Sequence, residues 1–423
     1  MAIANAAQLE PVLRESVFTT LTKMYEERRP LTKRIPKAPD DLPMNSRGVR
    51  FPLDVIPNAS FGWFGEGGNY PVAGFDTKIE CKAYPTQNGS GFSFTGTWFR
   101  EARQKSNFAD TLTQELARWQ TSALKKMEQA FTSSSTGQVG VVVSVNTGAN
   151  QITFATSYAQ GSFMSNRKVL INGRYQIFSA SGTQRVGGLS SPFTITCSAR
   201  TVSTGVTTFN AVPSDAVATD IAVYEGSWNS AMQGLPDIIN NVGTIQGLAR
   251  TSYPEALNAD VEDCGGAPIS ATRFEKHKGA LMFRVEQENV KLSIVWSVAQ
   301  PQKYKMQGYG QIRYQEGGGT YRGEFKDVAF YDWEKIESTD LEDSDIYGVY
   351  WDDLMRFDMK PFGPYDEDGM PWRLNFASGS ASDAFTGWFG WQGQIAAKRF
   401  NAAFRMKNLD VSGASVGYLS LNN

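Results

Sequence analysis

The amino-acid sequence predicts a protein of the α+β class, in which helices and strands occupy separate stretches of the chain. Three features support this prediction. A long amphipathic helix is predicted from about Phe99 to Phe131. Residues 48–98 contain the alternation of apolar and polar side chains that is typical of strands. Residues 137–228 are poor in charge and rich in short β-branched runs, which favours an all-β unit.

The composition describes a chain that can bury a sizeable core, since 41% of its 423 residues are hydrophobic. Its formal net charge at pH 7 is −2, so no basic field of the whole protein attracts nucleic acid. Cys81, Cys197 and Cys264 are odd in number and far apart, which argues against a disulfide framework and favours a reducing compartment. The sequence contains no signal-peptide pattern and no apolar run long enough to cross a bilayer. We therefore expect a soluble protein made in the cytosol.

Residues 1–47 are predicted to form an N-terminal arm. Leu13, Val17, Leu21 and Met24 recur at helical spacing before Pro30 ends the helix. The stretch "PLTKRIPKAPDDLP" that follows is broken by prolines and is expected to be extended. Such an arm cannot form a core of its own, so it must lie either on the body of this chain or on a neighbour.

Residues 48–97 are predicted to form an extended β-hairpin loop. In "TKIECKAY" one face carries Ile79, Cys81 and Ala83, while lysine and glutamate side chains alternate with them. "FGWFGEGGNYPVAGF" supplies a tip rich in glycine and aromatic residues, and "SGFSFTGTW" is interpreted as a further strand of the excursion. Because a two-stranded ribbon is marginal alone in water, this one needs a partner surface.

The predicted long helix, placed within residues 98–136, has an apolar stripe on one face and ends at "TSSSTG". Residues 137–228 are interpreted as an inserted small all-β domain, either a barrel or a sandwich. Residues 229–423 mix both kinds of element. In this last part, "FTGWFGWQG" is interpreted as a glycine–aromatic turn that leads into a closing strand.

The glycine-rich stretch "GTIQGLARTSYP" raises the question of a phosphate-binding loop. It lacks the spacing of both the P-loop and the dinucleotide fingerprint. Gly243 is instead predicted to end a helix formed by "LPDIINN". The favoured interpretation is a structural turn or an interface turn, and in the second case Arg250 and Tyr253 would face another protein surface.

Two further groups of residues were tested for catalytic or metal chemistry. His277, the sole histidine of the sequence, lies in "FEKHKG" and is predicted to occupy a solvated turn, which argues against a Ser–His–Asp arrangement. The acidic run between residues 340 and 353 does not have the offsets of a calcium loop and is interpreted as a solvated loop. The sequence thus predicts no catalytic residue, no metal site and no cofactor.

Glycine-flanked aromatic residues leave two functions open. Trp63, Phe64, Trp388, Phe389 and Trp391 suit either sugar binding or contacts between subunits. The alternative function is accordingly a carbohydrate-binding or carbohydrate-cleaving β protein. Basic side chains at positions 398, 399, 405 and 407 could meet phosphates nonspecifically, although the polar face of an edge element is favoured. Lysines 78 and 82 of the ribbon are interpreted as charged residues that prevent unwanted pairing at a strand edge, rather than as residues that form covalent links between subunits.

The order of these parts resembles that of the major capsid proteins of tailed bacteriophages, the Hong Kong 97-type shell subunits. "EGGNYPVAG" is similar to the extended loop of that family, and "GLPDII…GTIQGLARTSYP" is similar to its glycine–arginine–Tyr-Pro segment. The resemblance implies an α+β capsid fold with an N-terminal arm, an extended loop, a spine helix, peripheral and axial domains, and a barrel-like insertion. It is weakest over residues 300–380.

The resemblance also implies a function in assembly and no enzymatic activity. Copies of the chain would form hexamers and pentamers of an icosahedral head in the bacterial cytoplasm and enclose double-stranded DNA, which they would contact nonspecifically. A portal protein is an expected partner, with a scaffolding or decoration protein as a further possibility and no membrane. The expected interface residues are Leu13, Val17, Leu21, Arg28, Arg29, Trp63, Phe64, Glu66, Tyr70, Arg250 and Tyr253.

Overall fold

A computed structural model describes residues 31–39, 42–58, 60–66, 68–95, 108–155, 168–188, 192–201, 204–285, 292–308, 333–365, 372–377 and 380–411. The predicted arm helix, including Leu13, Val17 and Leu21, lies outside these residues, as do Arg28 and Arg29. The described chain combines a long helix, a β-barrel and mainly antiparallel sheets, which fits the predicted α+β class, although short helices and strands alternate between residues 235 and 337. No helix among the described residues is both long and apolar enough to span a membrane.

The helices are α1 (Phe108–Phe131), α2 (Leu235–Ile238), α3 (Pro254–Leu257), α4 (Ala271–Val285) and α5 (Ala299–Gly308), with short 3-10 helices at Thr32–Arg34 and Trp351–Asp353. The strands are β1 (Val49–Ile56), β2 (Thr77–Ala83), β3 (Thr86–Thr95), β4 (Gln138–Asn146), β5 (Gln151–Phe154), β6 (Arg174–Phe178), β7 (Ile195–Arg200), β8 (Val206–Phe209), β9 (Ile221–Tyr224), β10 (Thr244–Ile245), β11 (Leu248–Ala249), β12 (Asp260–Asp263), β13 (Ser293–Trp296), β14 (Glu334–Glu337), β15 (Ile346–Val349), β16 (Leu354–Pro364), β17 (Trp372–Ala377), β18 (Ser380–Ala397) and β19 (Phe404–Lys407).

The chain divides into two compact units. Unit 1 comprises Met1–Val49, Tyr84–Phe131 and Met355–Ile395. Unit 2 comprises Arg50–Ala83, Thr132–Leu354 and Ala396–Asn423. Each unit is therefore assembled from three separated stretches of sequence.

Unit 1 is organised by the long strand β18, which pairs with β3, β16 and β17 within the described residues. The ring of Phe92 on β3 stacks on both Trp119 of α1 and Phe389 of β18, each at 5.0 Å between centroids. The predicted glycine–aromatic turn over "FTGWFGWQG" is wrong, because these residues lie inside β18. Glycine is used here for close approach, since a Cβ at Gly390 would lie 2.1 Å from the ring of Tyr365.

The ribbon of unit 2 is shorter than predicted. Strands β1 and β2 form its two-stranded sheet, whereas β3 pairs with β18 in antiparallel register from Thr86–Gly393 to Thr95–Ala384. The assignment of residues 86–95 to the excursion is therefore wrong, and their ladder partner lies in another part of the sequence. The predicted alternation in β2 is confirmed, because Cys81 and Ala83 are buried and Lys78 and Glu80 are exposed.

Strands β4 to β9 form a closed barrel in the order β4-β5-β8-β7-β6-β9. Its interior is apolar, and edge-to-face contacts join Phe209 to Phe154 and to Tyr175. Asn172 adopts a positive φ of 64° in the turn that precedes β6. The barrel thus occupies most of the stretch that the sequence marks as all-β.

Unit 2 also contains a five-stranded sheet with the order β12-β19-β15-β13-β14. The burial of aspartates in the acidic run contradicts the prediction of a solvated loop. Asp345 and Asp353 are buried beside this sheet. Asp345 accepts a 2.6 Å hydrogen bond from Nη2 of Arg405, and Asp353 accepts a 2.9 Å bond from Nε of Arg399. Carboxylates that leave water are stabilised when they are paired and hydrogen-bonded, so these residues are structural.

His277 also contradicts its predicted place in a solvated turn. It lies within α4 and is only 1% exposed. Its Nδ1 is 2.7 Å from Oδ2 of Asp260, and its ring stacks on Phe404 at 4.8 Å between centroids. Phe274, His277 and Leu281 follow helical spacing on the buried face of α4, which explains the burial.

Candidate interaction surface at the ribbon tip

The tip of the ribbon, residues 60–75 between β1 and β2, exposes large apolar side chains. Trp63 is 93% exposed and Phe75 is 91% exposed. Phe61, Tyr70 and Val72 are each at least 80% exposed, and Phe64 is about half exposed. Contiguous exposed apolar surface of this kind marks a site of interaction.

The tip has a defined shape in spite of its exposure. The rings of Phe61 and Trp63 meet edge to face at 5.5 Å, and those of Phe64 and Tyr70 meet at 4.8 Å. Glu66, the one acidic residue that the sequence predicts at the interface here, is exposed at a turn between Phe64 and Tyr70. Trp63, Phe64, Glu66 and Tyr70 are therefore brought together on one loop.

The neck of the tip is closed by one asparagine and its partners. The backbone N–H of Asn58 donates to Oδ1 of Asp76 at 2.8 Å, and its side-chain Nδ2 donates to the carbonyl of Gly74 at 3.0 Å. The backbone N–H of Ser60 donates to Oδ1 of Asn58 at 2.9 Å. Asn58 and Asp76 were not among the residues predicted from the sequence, although an asparagine and an aspartate at the two ends of a glycine-rich loop are a recognisable turn signal.

The stem carries charges on its outer face and apolar groups on its inner face. Arg50 lies 3.2 Å from Glu80, and Lys78 lies 3.6 Å from Asp54. Cys81 is fully buried on the opposite face, and burial raises the pKa of its thiol to about 12. The exposed ion pair of Lys78 suits the predicted role of this residue as a guard of the strand edge.

The base of the ribbon contacts the stretch that the sequence marked as glycine-rich. Strands β10 and β11 form a tight hairpin in which Gln246 and Gly247 take φ values of 50° and 80°, as a type I′ turn requires. The carbonyl of Gln246 accepts a 2.9 Å hydrogen bond from the backbone N–H of Lys82. The stretch is therefore a hairpin that supports the ribbon.

Arg250 has an internal position at this base. It is 1% exposed, and its Nη2 donates to the carbonyls of Asp237 at 2.7 Å and Ile238 at 2.9 Å, while Nη1 donates to the carbonyl of Leu257. These carbonyls lie at the ends of α2 and α3, so one guanidinium joins both helix ends. Burial lowers the pKa of Arg250 to about 10, with Asp237 acting in the opposite sense. The structure thus gives Arg250 a role within its own chain.

Gly243 and Tyr253 flank the hairpin. Gly243 has a positive φ of 85°, but α2 ends at Ile238, so the predicted function of Gly243 as the helix-ending glycine is wrong. Its carbonyl instead accepts the backbone N–H of Arg250 at 3.1 Å. Tyr253 is half-buried at the residue before α3, and its predicted contact with another subunit stays a prediction.

The described part of the arm is attached to unit 1. Leu31 is fully buried, and its backbone N–H donates at 2.9 Å to Glu128 of α1, which is itself 3% exposed. The hydroxyl of Thr32 donates to the same carboxylate at 3.1 Å. Farther along, the N–H of Ala38 donates to the carbonyl of Arg356 on β16 at 2.9 Å. The sequence left open whether the arm lies on its own chain or on a neighbour. Residues 31–38 lie on their own chain.

The remaining sequence candidates do not form a chemical site. Phe389 and Trp391 are buried, and Nε1 of Trp391 donates to Asp358 at 2.6 Å, so they do not form a sugar platform with half-exposed Trp388. Within the described ranges no group of histidine, cysteine and acidic residues is arranged to hold a metal ion. Among the basic side chains near the end, Lys407 lies 3.5 Å from Asp263 and is paired as the interpretation of a polar face expects.

Comparison with known proteins gives structural similarities and no sequence match. No family model matches the chain, and no curated protein matches it. It is similar to the cyanophage A-1(L) capsid asymmetric unit, with a TM-score of 0.46 and 10% identity over 87% of this chain and 90% of that one. It is similar to the capsid of the native GTA particle, with a TM-score of 0.44 and 8% identity over 90% of both chains.

A third similar structure comes from Mycobacterium phage Patience. The TM-score is 0.41 and the identity 10%, over 96% of this chain and 88% of that one. Because all three TM-scores lie below 0.5, the case for a function rests on the residues and contacts of this chain.

Proposed function

We propose that this chain is a major capsid protein, a non-enzymatic subunit that assembles with copies of itself into a closed shell. The observation that carries the proposal is the ribbon tip, where Trp63, Phe75 and their neighbours are exposed on a loop of defined shape. Burying one such aromatic side chain is worth about 2 kcal/mol, so covering the exposed tip with a partner surface would favour association.

The partner proposed for the tip is a second copy of this chain. Identical copies in a closed, symmetric arrangement repeat each favourable contact many times, so a modest interface is sufficient. The sequence resemblance to Hong Kong 97-type subunits supports hexamers and pentamers of an icosahedral phage head as the form of that arrangement. Nonspecific contact with packaged double-stranded DNA, a portal protein as partner and assembly in the bacterial cytoplasm belong to the same proposal.

The carbohydrate-binding alternative has less support than the capsid proposal among the described aromatic residues. Trp391 is 1% exposed and Phe389 is 3% exposed, so two of its five aromatic residues cannot contact a sugar. The exposed ones at the ribbon tip serve the subunit interface equally well, and the capsid proposal also explains the ribbon that carries them.

Electron microscopy of the expressed chain tests the proposal. The wild-type protein should form closed shells or capsomers, whereas the double variant Trp63→Ser/Phe75→Ser should remain as folded subunits. Val217→Ser, which removes a half-exposed valine far along the chain from the ribbon, is the matched control and should assemble normally. A strictly monomeric wild-type protein, or normal shells from the double variant, would refute the proposed role of the tip.

A further inference from the structure

We infer that Asn58 and Asp76 form a clasp that fixes the shape of the ribbon tip before it docks on a second copy of the chain. The inference rests on the proposed function and adds to it the residues that prepare the docking surface. Both are exposed positioning residues, because neither belongs to the aromatic surface itself.

Asn58 takes part in three hydrogen bonds, of which two join the two ends of the tip and the third lies within the first end. Its backbone N–H reaches Asp76 at 2.8 Å, its side-chain amide reaches the carbonyl of Gly74 at 3.0 Å, and its Oδ1 accepts from Ser60 at 2.9 Å. A backbone amide, a side-chain donor and a side-chain acceptor are thus all used at one position. This arrangement closes the loop at its neck, where residues 60–75 leave the two strands.

Gly74 shows how tightly the neck is packed. A Cβ at this position would lie 2.6 Å from Oδ1 of Asn58, closer than side-chain atoms approach each other. The residue must therefore lack a side chain for the clasp to form. The φ of Gly74 is outside the left-handed region, so the backbone conformation does not require glycine. The close contact with Asn58 does.

The clasp matters because ordering a loop on binding opposes association. Side chains and loops that are immobilised at an interface lose conformational entropy, and a loop held in its bound shape beforehand avoids that loss. The aromatic pairs Phe61–Trp63 and Phe64–Tyr70 lie beyond the neck, so the clasp limits the conformations in which they are presented. The neck therefore acts on docking without contacting the partner.

The chemistry of the tip specifies the receiving surface. From residue 60 to residue 75 the sequence carries one charge, Glu66, among aromatic, aliphatic, glycine and small polar residues. The complementary surface on a second copy is accordingly an apolar groove with a lysine or arginine at its rim.

The experiment combines spin labelling of the subunit with an assembly assay. A nitroxide attached at Gly65→Cys reports on the mobility of the tip, because a Cβ at this position meets no neighbour within 4 Å. The wild-type chain treated with the same reagent is the labelling control, since its described cysteines are buried. Assembly is measured, without the label, as the protein concentration at which shells appear.

Asn58→Ala and Asp76→Ala should increase the mobility of the label and raise the assembly concentration about tenfold, while the unfolding midpoint of the subunit stays unchanged. Asp76→Asn keeps an oxygen acceptor for the N–H of Asn58 and should restore assembly to near the wild-type concentration. Asp54→Ala, which breaks an exposed ion pair on the stem, is the matched control and should leave both readouts unchanged.

Different outcomes overturn different statements. Unchanged label mobility in Asn58→Ala would show that the clasp does not shape the tip, and greater mobility with unchanged assembly would show that the shape does not matter for docking. Either result overturns the inference while wild-type shells still support the proposed function. A wild-type chain that forms no shells would overturn the proposed function and, with it, the docking role of the clasp.

Discussion

The arm segment 31–38 and the ribbon tip 60–75 pack differently, although neither can form a core of its own and both were expected to need a partner surface. The arm segment buries Leu31 and Ile35 in unit 1, whereas the ribbon tip leaves Trp63 and Phe75 exposed. Both segments contain apolar side chains, and both are too short and irregular to form a core. The arm segment packs on its own chain although it also carries Lys33, Arg34 and Lys37. Their apolar content therefore does not decide where each one packs.

The difference lies in the polar backbone groups of the two segments. The arm segment offers the N–H groups of Leu31 and Thr32 to a buried carboxylate on α1, Glu128, so burial leaves these donors satisfied. The ribbon tip satisfies groups at its own neck through Asn58. A segment that closes on itself is free to present its apolar side chains to another chain.

The largest expected difference is in the reactivity of two thiols, one at the base of the ribbon and one introduced at its tip. Cys81 at the base is buried and its pKa is raised to about 12, so its thiolate fraction at pH 8 is on the order of 10⁻⁴. An introduced Gly65→Cys thiol at the tip should react with an alkylating reagent at least ~10³-fold faster than Cys81.

The pH dependence of the two thiols separates them further. The rate for Gly65→Cys should level off above about pH 9, whereas the rate for Cys81 should continue to rise through pH 10, because deprotonation follows the pKa of each thiol. Mass spectrometry of alkylated peptides in the unassembled subunit measures both rates. Equal rates at pH 8 would contradict the exposed tip and the buried base.

The next largest effect is expected for Glu128. Glu128→Ala leaves the buried N–H groups of Leu31 and Thr32 without their acceptor and should lower the free energy of unfolding by about 3 kcal/mol. Glu128→Gln retains an acceptor oxygen and should have less than half of that effect. Denaturant unfolding of the subunit measures both variants, with faster amide exchange at residues 31 and 32 as the local readout. A neutral Glu128→Ala would mean that the arm segment is not anchored there.

The smallest effect on stability is expected at the tip. Ile35→Ala in the arm segment removes a buried side chain and should cost about 3 kcal/mol, whereas Phe75→Ala should change the free energy of unfolding by less than about 0.5 kcal/mol. Both are measured by the same denaturant titration of unassembled subunits. If Phe75→Ala were as destabilising as Ile35→Ala, the tip would be packed within its own subunit and the comparison would fail.

Local sequence patterns predicted much of the fold. The end of α1 at Phe131, the alternation in β2 and the all-β character of residues 138–224 follow from spacing and from turn residues. The aromatic members of the candidate interface, among them Trp63 and Tyr70, could be named because glycine-flanked aromatic residues in a ribbon have few places to pack.

Long-range pairing and the polar interior could not be predicted in the same way. The partner of β3 is β18, some 290 residues later, and nothing in the alternation of residues 86–95 specifies it. Arg250 looks like any arginine after a glycine turn, and only the fold brings the carbonyls of Asp237 and Leu257 to its guanidinium. His277 was different, because its helical spacing from Phe274 and Leu281 was a local signal of a buried helix face that the prediction of a solvated turn did not use.

The length of β18 has a mechanical consequence. At roughly 3.3 Å per residue, its 18 residues extend for about 60 Å, and ten consecutive positions pair with β3. A pull along this strand stretches many ladder hydrogen bonds at once instead of peeling them apart singly. Shear strength of that kind would let this sheet bear a load along β18 without a thicker core.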